Sequence, residues 1–288
     1  KDVLFNEPSV SFGGGNGTSQ WVSIRGMGQD QIDMKVDDTY NDTQIFHHNG
    51  RFVFDPTLVK IVGVQKGTGS ASAGIGATSG AVVARTVDAA DLLREGQNVG
   101  FKLNAGVSSN RGWSRGASVY GRWQGLDAIV AGNWVTERDY KPGKGYTNSN
   151  GGKTVPYSGL DKRSYLAKIG ATFGDHRLVL SHMNDQHRGI RTVREEFTST
   201  NDPRLTLARQ APTYRETSLS NTNLAWTANN LGFVEKLDAN AYIMKNERYS
   251  ADDSKNGYAG NLPGPNTTVI ETKGANFNLD SRIGENTK

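Results

Sequence analysis

Two patterns of apolar and polar residues divide the chain. From residue 96 onward the pattern has period two, the mark of a strand with one apolar face. Val99, Phe101, Leu103, Ala105 and Val107 alternate with Gly100, Lys102, Asn104, Gly106 and Ser108. The alternation returns at Ala117, Val119 and Trp123, and at Tyr165, Ala167, Ile169, Ala171 and Phe173. It returns again at Leu237, Ala239, Ala241 and Ile243, and at Ala275, Phe277, Leu279 and Ile283. These segments and the runs between them predict about eight antiparallel strands. Alternation alone does not say whether the apolar face meets a protein core or lipid. The connections do. Joints at 124–125, 174–176 and 229–233 are short, whereas 139–162, 188–214 and 250–268 are long. Short turns on one side and long loops on the other form the outer-membrane barrel pattern; a sandwich puts long loops at both ends. The first hairpin, through Asn110-Arg111-Gly112, breaks the rule with a short joint on the long-loop side.

Before residue 96 the pattern is irregular. Short strands are predicted at 10–12, 21–25, 32–36 and 59–65, separated or followed by loops at 13–17, 39–51 and 67–80. Leu4-Phe5 before Pro8 reads as a helix end, since proline disfavours helix in the residue preceding it. Residues 88–93 read as a short helix. The chain is therefore divided into residues 1–95 and 96–288.

Composition narrows the function. The 288 residues include no Cys, which excludes a disulfide scaffold and Cys-ligated zinc. The net charge is +4 with both signs dispersed, a poor footprint for nucleic acid. No run of eighteen apolar residues exists to form a membrane-crossing helix. Neither Lys1-Asp2-Val3 nor Glu285-Asn286-Thr287-Lys288 looks like a natural terminus, so both ends read as cut. Gly151-Gly152-Lys153-Thr154 lacks the first glycine and the following helix of a phosphate loop. His182 and His187 are five apart, on opposite faces of a strand. No Ser/His/Asp set has recognisable context, so the chain is not read as an enzyme.

Ile24-Arg25-Gly26-Met27-Gly28, following a Gly/Ser-rich loop, resembles the plug domain of TonB-dependent outer-membrane receptors. Asn6-Glu7-Pro8-Ser9-Val10-Ser11-Phe12 is similar to the plug's opening, and Val36-Asp37-Asp38 stands where the family often has Val-Asp-Gly. Residues 60–67 and 70–83 resemble its Ile-Glu-Val-x-Arg-Gly-Pro and Tyr-Gly-x-Gly-Ala-x-Gly-Gly-Val runs. Two departures are plain: Gly63 replaces the Glu and Lys66 the Arg, which removes both partners of a Glu–Arg cluster that would anchor the plug. Residues 12–20, 69–78, 185–197 and 247–253 resemble the family's neisserial iron-regulated branch, receptors of ferric enterobactin.

The resemblance implies a mixed α/β plug domain (1–95, truncated at its start). An incomplete antiparallel transmembrane β-barrel follows (96–288, about eight strands), a fragment of a larger plugged barrel of the 22-stranded kind. It implies uptake of a catecholate ferric siderophore across the bacterial outer membrane. The partners would be outer-membrane lipid and, through a box upstream of Lys1, the inner-membrane TonB complex. The chain is expected to be a monomer with no permanently bound cofactor and no nucleic-acid partner. Haem or loosely chelated iron is the alternative cargo, and a soluble β-rich binding module the alternative class; a passive porin would lack the plug motifs.

An anionic chelate suits the long loops. Five basic residues stand in 139–163 and six Arg in 187–215, with Arg191 and Arg194 chosen as ligand contacts. Arg pairs with planar anions through its fork and stacks on rings; Tyr140, Tyr146, Tyr157 and Tyr214 offer stacking faces. By analogy with the family, plug loops 13–20, 39–51 and part of 67–80 line the cavity floor. The middle one gathers Tyr40, Asp42, His47, His48 and Arg51. Phenolate and carboxylate oxygens suit Fe(III), and imidazole is a common transition-metal ligand. Tyr40 and His48 are the expected transient iron contacts, with Arg51 holding the anionic ligand beside them.

Overall fold

The computed structural model describes residues 4, 6–13, 21–41, 54–67, 79–148, 150–194, 202, 204, 206–254 and 264–281. The N-terminal part holds two small sheets. β1 (Val10–Gly13) pairs antiparallel with β2 (Trp21–Ile24). β3 (Ile32–Val36), β4 (Thr39–Tyr40), β5 (Val59–Lys66) and β6 (Gly80–Thr86) form a four-stranded sheet of order β4-β3-β6-β5. Only β3 and β6 run parallel in it. A one-turn helix α1 (Ala89–Leu92) follows. The Ile-Arg-Gly-Met-Gly motif has a simple backbone role. Ile24, fully buried, ends β2; Arg25 (φ 53°) and Gly26 (φ 80°) then make a tight turn that returns Met27 to bond Ile24. Two sequence expectations need correction. Thr39–Tyr40 is a strand rather than loop, because the two-residue turn before it folds it back onto β3. Gly80, expected to close the loop 67–80, instead opens β6, which the Ala-Val-Val-Ala run carries on.

The remainder is one eight-stranded antiparallel meander: β7 (Val99–Ser108), β8 (Gly112–Trp123), β9 (Leu126–Glu137), β10 (Leu160–Phe173), β11 (His176–Arg191), β12 (Thr213–Leu231), β13 (Val234–Ser250) and β14 (Asn266–Ser281). The sheet is not closed; β7 and β14 are its edges. Turns 124–125, 174–175 and 232–233 lie on one side and loops 138–159, 192–212 and 251–265 on the other, with the short 109–111 joint among them. Gln124 and Gly125 both have positive φ, the conformation that two-residue hairpins require. Strands reach further into the long-loop side than the alternation indicates: β10 starts at Leu160, β11 ends at Arg191, β12 begins at Thr213 and β14 begins at Asn266. In that extension charged residues such as Asp161, Arg188 and Glu216 pair across strands, so period two fades while pairing continues.

The two faces of this wall differ as the alternation demands. Val119, Val130, Ile169, Leu180, Leu224, Ile243 and Phe277 are exposed on the outer face. Trp113 and Trp123 stand at either end of β8 on that face, ten positions apart. At about 3.3 Å per residue and a tilt of about 40°, they are about 25 Å apart along the barrel axis, the height of a lipid-facing band with its aromatic girdles. Trp134 and Tyr165 join the first girdle (Trp134 Nε1 to Tyr165 Oη, 2.8 Å). Phe173, His176 and Trp226 stack in the second.

The inner face grips the plug. Tyr120, Ile129, Ala131, Leu166 and Met183 of the wall share one core with Met34, Val36, Leu58, Val59, Val82 and Ala84. Leu219, Tyr242 and Met244 form a second inner cluster against Phe54, and polar residues such as Asn221, Asn223 and Asn240 stand between. Close approach also constrains glycine: a Cβ on Gly274 of β14 would stand 2.4 Å from the Tyr242 ring. Gly274→Val in the intact protein should displace Tyr242 and cost about 1–3 kcal/mol. A lowered temperature for loss of the compact electrophoretic form reads this out; an unchanged one contradicts the packing.

Candidate functional site: the plug tied to the barrel wall

Val36-Asp37-Asp38-Thr39 is a hairpin whose two central residues both have positive φ (50° and 57°). Asp is among the few non-glycine residues that tolerate this region. The Asp37 carboxylate accepts from the Thr86 amide (2.9 Å) and hydroxyl (2.6 Å), which fixes the turn against β6. The turn's carbonyls face the wall, where three asparagines meet them. Asn223 of β12 donates to the Asp37 carbonyl (3.0 Å). Asn240 of β13 and Asn276 of β14 donate to the Asp38 carbonyl (3.2 and 2.7 Å). The amides also bond each other, Asn240 to Asn223 (3.0 Å) and Asn276 to Asn240 (2.9 Å). Asn221 donates to the Thr39 hydroxyl (2.8 Å), which itself donates to the Val36 carbonyl (2.6 Å). Tyr40 follows directly. It is half-buried, its amide donates to the Tyr242 hydroxyl (3.4 Å) and the Lys35 ammonium lies 5.6 Å over its ring.

Asp42, His47, His48 and Arg51 lie outside the described residues. Beyond them the chain is tied again, to a different part of the wall. Lys162 of β10 donates to the Phe54 carbonyl (3.0 Å), and Asn133 of β9 donates to the Asp55 carboxylate (2.7 Å). Asp55, 2% exposed, also accepts from the Thr57 amide and hydroxyl. Burial alone would push its carboxyl up; the Lys162 charge and the bonds from Thr57 and Asn133 outweigh that and hold it below its usual value. A third tie joins Lys168 of β10 to Asp88 (2.7 Å) and to the Thr86 carbonyl (3.4 Å). Lys66, at the place of the family's Arg, pairs within the plug with Glu7 (3.4 Å).

Next to the second tie lies a cavity of about 560 Å³ between the plug and β7–β11, lined by Phe12, Phe54, Asp55, Asn133, Lys162 and His187 among others. Asp185, fully buried on β11, accepts from the Ser164 hydroxyl, while its second oxygen and His187 Nε2 find no protein partner. Among the described residues no three His, Asp or Glu converge as a metal site.

The long-loop side holds the predicted arginines in unequal settings. Arg191 ends β11, is 2% exposed and donates to the Tyr157 carbonyl (3.3 Å). Arg194 is half-buried in the following loop. Arg188 pairs with Asp161 (3.2 Å) and Arg204 with Asp202 (2.6 Å). Arg215 is buried: it pairs with Asp253 (2.9 Å) and donates to the carbonyls of Ala211 (3.0 Å) and Arg191. Asp253 also accepts from Ser250 (2.8 Å) and Asn266. Burial works against its charge, yet these three donors bring its carboxyl below the usual value. Arg215 thus locks the bases of loops 192–212 and 251–265 together. Burial raises the phenols of Tyr140 and Tyr146, so neither is disposed to ionise at neutral pH.

Sequence reasoning missed the asparagine ladder, Asp55, Lys168 and the Arg215–Asp253 pair. Asn240 and Asn276 stand at inward positions of the alternation, which is the one signal the ladder leaves; their register across strands is not in the sequence.

Three outcomes follow from this geometry. Asn240→Leu removes the middle of the ladder and should weaken the plug tie by about 1–3 kcal/mol, seen as faster amide exchange at residues 32–40 of the intact protein. Unchanged exchange would exclude the ladder as a tie. For Asp55 the folded carboxyl lies below its unfolded value, so its contribution is full above about pH 3.9 and lost as pH falls through the lower folded value. Amide exchange at residues 54–61 should therefore be level from neutral pH down to about 4 and rise below, and Asp55→Asn should remove that rise. Arg215→Ala leaves Asp253 buried and unpaired, and should cost about 3–5 kcal/mol. Loop proteolysis at 192–212 should accelerate; an unchanged rate would show that the pair does not lock the loops.

Comparison with known proteins places this arrangement. Residues 1–81 match the TonB-dependent Receptor Plug Domain. The fold is similar to that of the FrpB iron transporter from Neisseria meningitidis (F3-3 variant), with a TM-score of 0.93 and 64% identity covering 99% of this chain and 44% of that one. The heme transporter BhuA of Brucella suis biovar 1 is 27% identical over 262 residues, 91% of this chain and 37% of the relative. The hemin receptor of Yersinia enterocolitica is 36% identical over 132 residues, 45% of this chain and 19% of the relative. The chain thus spans less than half the length of these relatives. With a matching plug, an inner wall that holds it and an outer wall banded for lipid, the chain belongs to the TonB-dependent receptors of the bacterial outer membrane.

Proposed function

We propose that the intact protein imports iron across the outer membrane as a ferric chelate of catecholate type. The chelate enters from the long-loop side, rests on the plug, and passes when the TonB complex pulls the plug. The observation that carries this reading is the plug's attachment: it is held inside the wall by a shared apolar core, hydrogen bonds and lone ion pairs. The 64% identical relative named as an iron transporter supports iron as the cargo. We divide the chain at residues 95 and 96, between α1 and β7, into plug and barrel.

The proposed contacts are Tyr40, Asp42, His47, His48, Arg51, Arg191 and Arg194, with iron touching Tyr40 and His48 in passage. Tyr40 emerges half-buried from the asparagine tie, beside Lys35, whose ammonium pairs with Asp38 (3.0 Å). Arg194, half-buried, is more accessible to a loop-side ligand than Arg191, which is 2% exposed. Haem is the second reading, favoured by the BhuA similarity over 91% of the chain.

Growth of an iron-starved host carrying the intact receptor tests both. Ferric catecholate as sole iron source should support growth; growth on haem alone would replace the first reading with the second. Tyr40→Phe combined with His48→Ala should reduce iron uptake while the barrel stays folded, and iron binding should weaken as pH falls through about 6.5 because protonated imidazole cannot ligate. Wild-type uptake and binding by that double variant would remove the loop from the site.

A further inference from the structure

We propose that the outer wall of the barrel carries a binding site for the phosphate of a membrane lipid, built from Arg115 and Arg163 on the indole of Trp134. Arg115 lies on the outer face of β8, exposed, two positions inside Trp113 of the long-loop girdle. Its guanidinium lies 4.2 Å from the Trp113 ring centre and 4.4 Å from that of Trp134, its partner across β9. Arg163 of β10 pairs with Trp134 from the other side, 5.5 Å from the same ring. Two cations therefore share one indole, and Trp134 is itself held by its bond to Tyr165. On the β7 side the position opposite Arg115 is Ala105, which leaves the guanidinium uncovered.

Charge balance points outward from the protein. No carboxylate pairs with Arg115 among the described residues. Arg163 has Asp161 at 3.6 Å, but Arg188 holds the same carboxylate more closely, at 3.2 Å. On β12 the position opposite Arg188 is Glu216, which takes the Tyr214 hydroxyl (3.1 Å) and closes the patch on that side. The positive excess therefore stands at the β8–β10 end, over Trp134. Depth supplies the ligand. Trp113, Trp134 and Tyr165 mark the long-loop edge of the lipid band, and aromatic belts lie at headgroup level. A guanidinium held against two indoles there meets headgroup phosphate, the planar-fork partner it binds well. The indoles restrict its freedom in advance, which lowers the cost of fixing it on the anion. A girdle arginine that merely extends toward water would not need two rings to hold it.

The test uses the intact receptor in nanodiscs doped with bisphosphorylated lipid A, and native mass spectrometry to count lipids retained on release. The phosphorylated lipid should be retained and its dephosphorylated form should not, a comparison that needs no variant. Arg115→Gln with Arg163→Gln should weaken retention about tenfold, on the scale of charge-assisted hydrogen bonds, while iron uptake continues. Equal retention of the two lipids, or wild-type retention by the double variant, would overturn the proposal. So would displacement of the lipid by millimolar inorganic phosphate, because the site would then read a free ion and not the membrane.

Discussion

Everything in this chain turns on how a plug is held inside a wall. Asp37 and Asp38 present two turn carbonyls, and Asn223, Asn240 and Asn276 take them with neutral amide donors. A neutral hydrogen bond contributes about 0.5–1.5 kcal/mol net, because water replaces it when it opens. A ladder of them is firm in sum and yields one rung at a time. Buried ion pairs at the same place would behave differently, since separating one leaves two charges stranded. The plug uses them sparingly toward the wall: Lys162 beside Asp55, and Lys168 on Asp88. The buried pair of highest stakes, Arg215 with Asp253, is spent on the loops, which must keep their shape.

This division of labour explains the departures from the family pattern. Without the Glu at Gly63 and the Arg at Lys66, no charged cluster binds the plug sheet to the barrel from that strand, and Lys66 stays within the plug on Glu7. The ties are instead spread over β9, β10 and β12–β14. A shared apolar core beneath them, from Met34 and Val82 to Leu166 and Met183, supplies non-directional adhesion that tolerates sliding better than a fixed salt bridge.

Much of the fold was legible because lipid imposes a strict rule: each wall strand needs one apolar face, and period two writes that rule into Tyr165, Ala167, Ile169, Ala171 and Phe173. It stopped being legible above the lipid band, where Asp161, Arg188 and Glu216 keep pairing with no apolar face to announce it. β4 was hidden for another reason. Two residues carry no period, and Asp37-Asp38 lacks the glycine that usually signals such a turn. The site was less legible still. Asn240 and Asn276 read only as polar partners in an alternation, since a ladder exists in the register between strands rather than in any one segment. Arg191 read as a loop cation, because sequence gives its charge and not its burial.

The two ends of the Tyr40-to-Phe54 segment carry the last step. Thr39 and Tyr40 are fixed by β12 and β13, Phe54 and Asp55 by β9 and β10. The described residues on either side of 42–53 are therefore held by two different parts of the wall. A cargo bound there biases the ties only by as much as it prefers the held geometry over the released one. Under the proposed import function, coupling between cargo and plug release needs no long pathway, because the residues flanking 42–53 are held by two different parts of the wall.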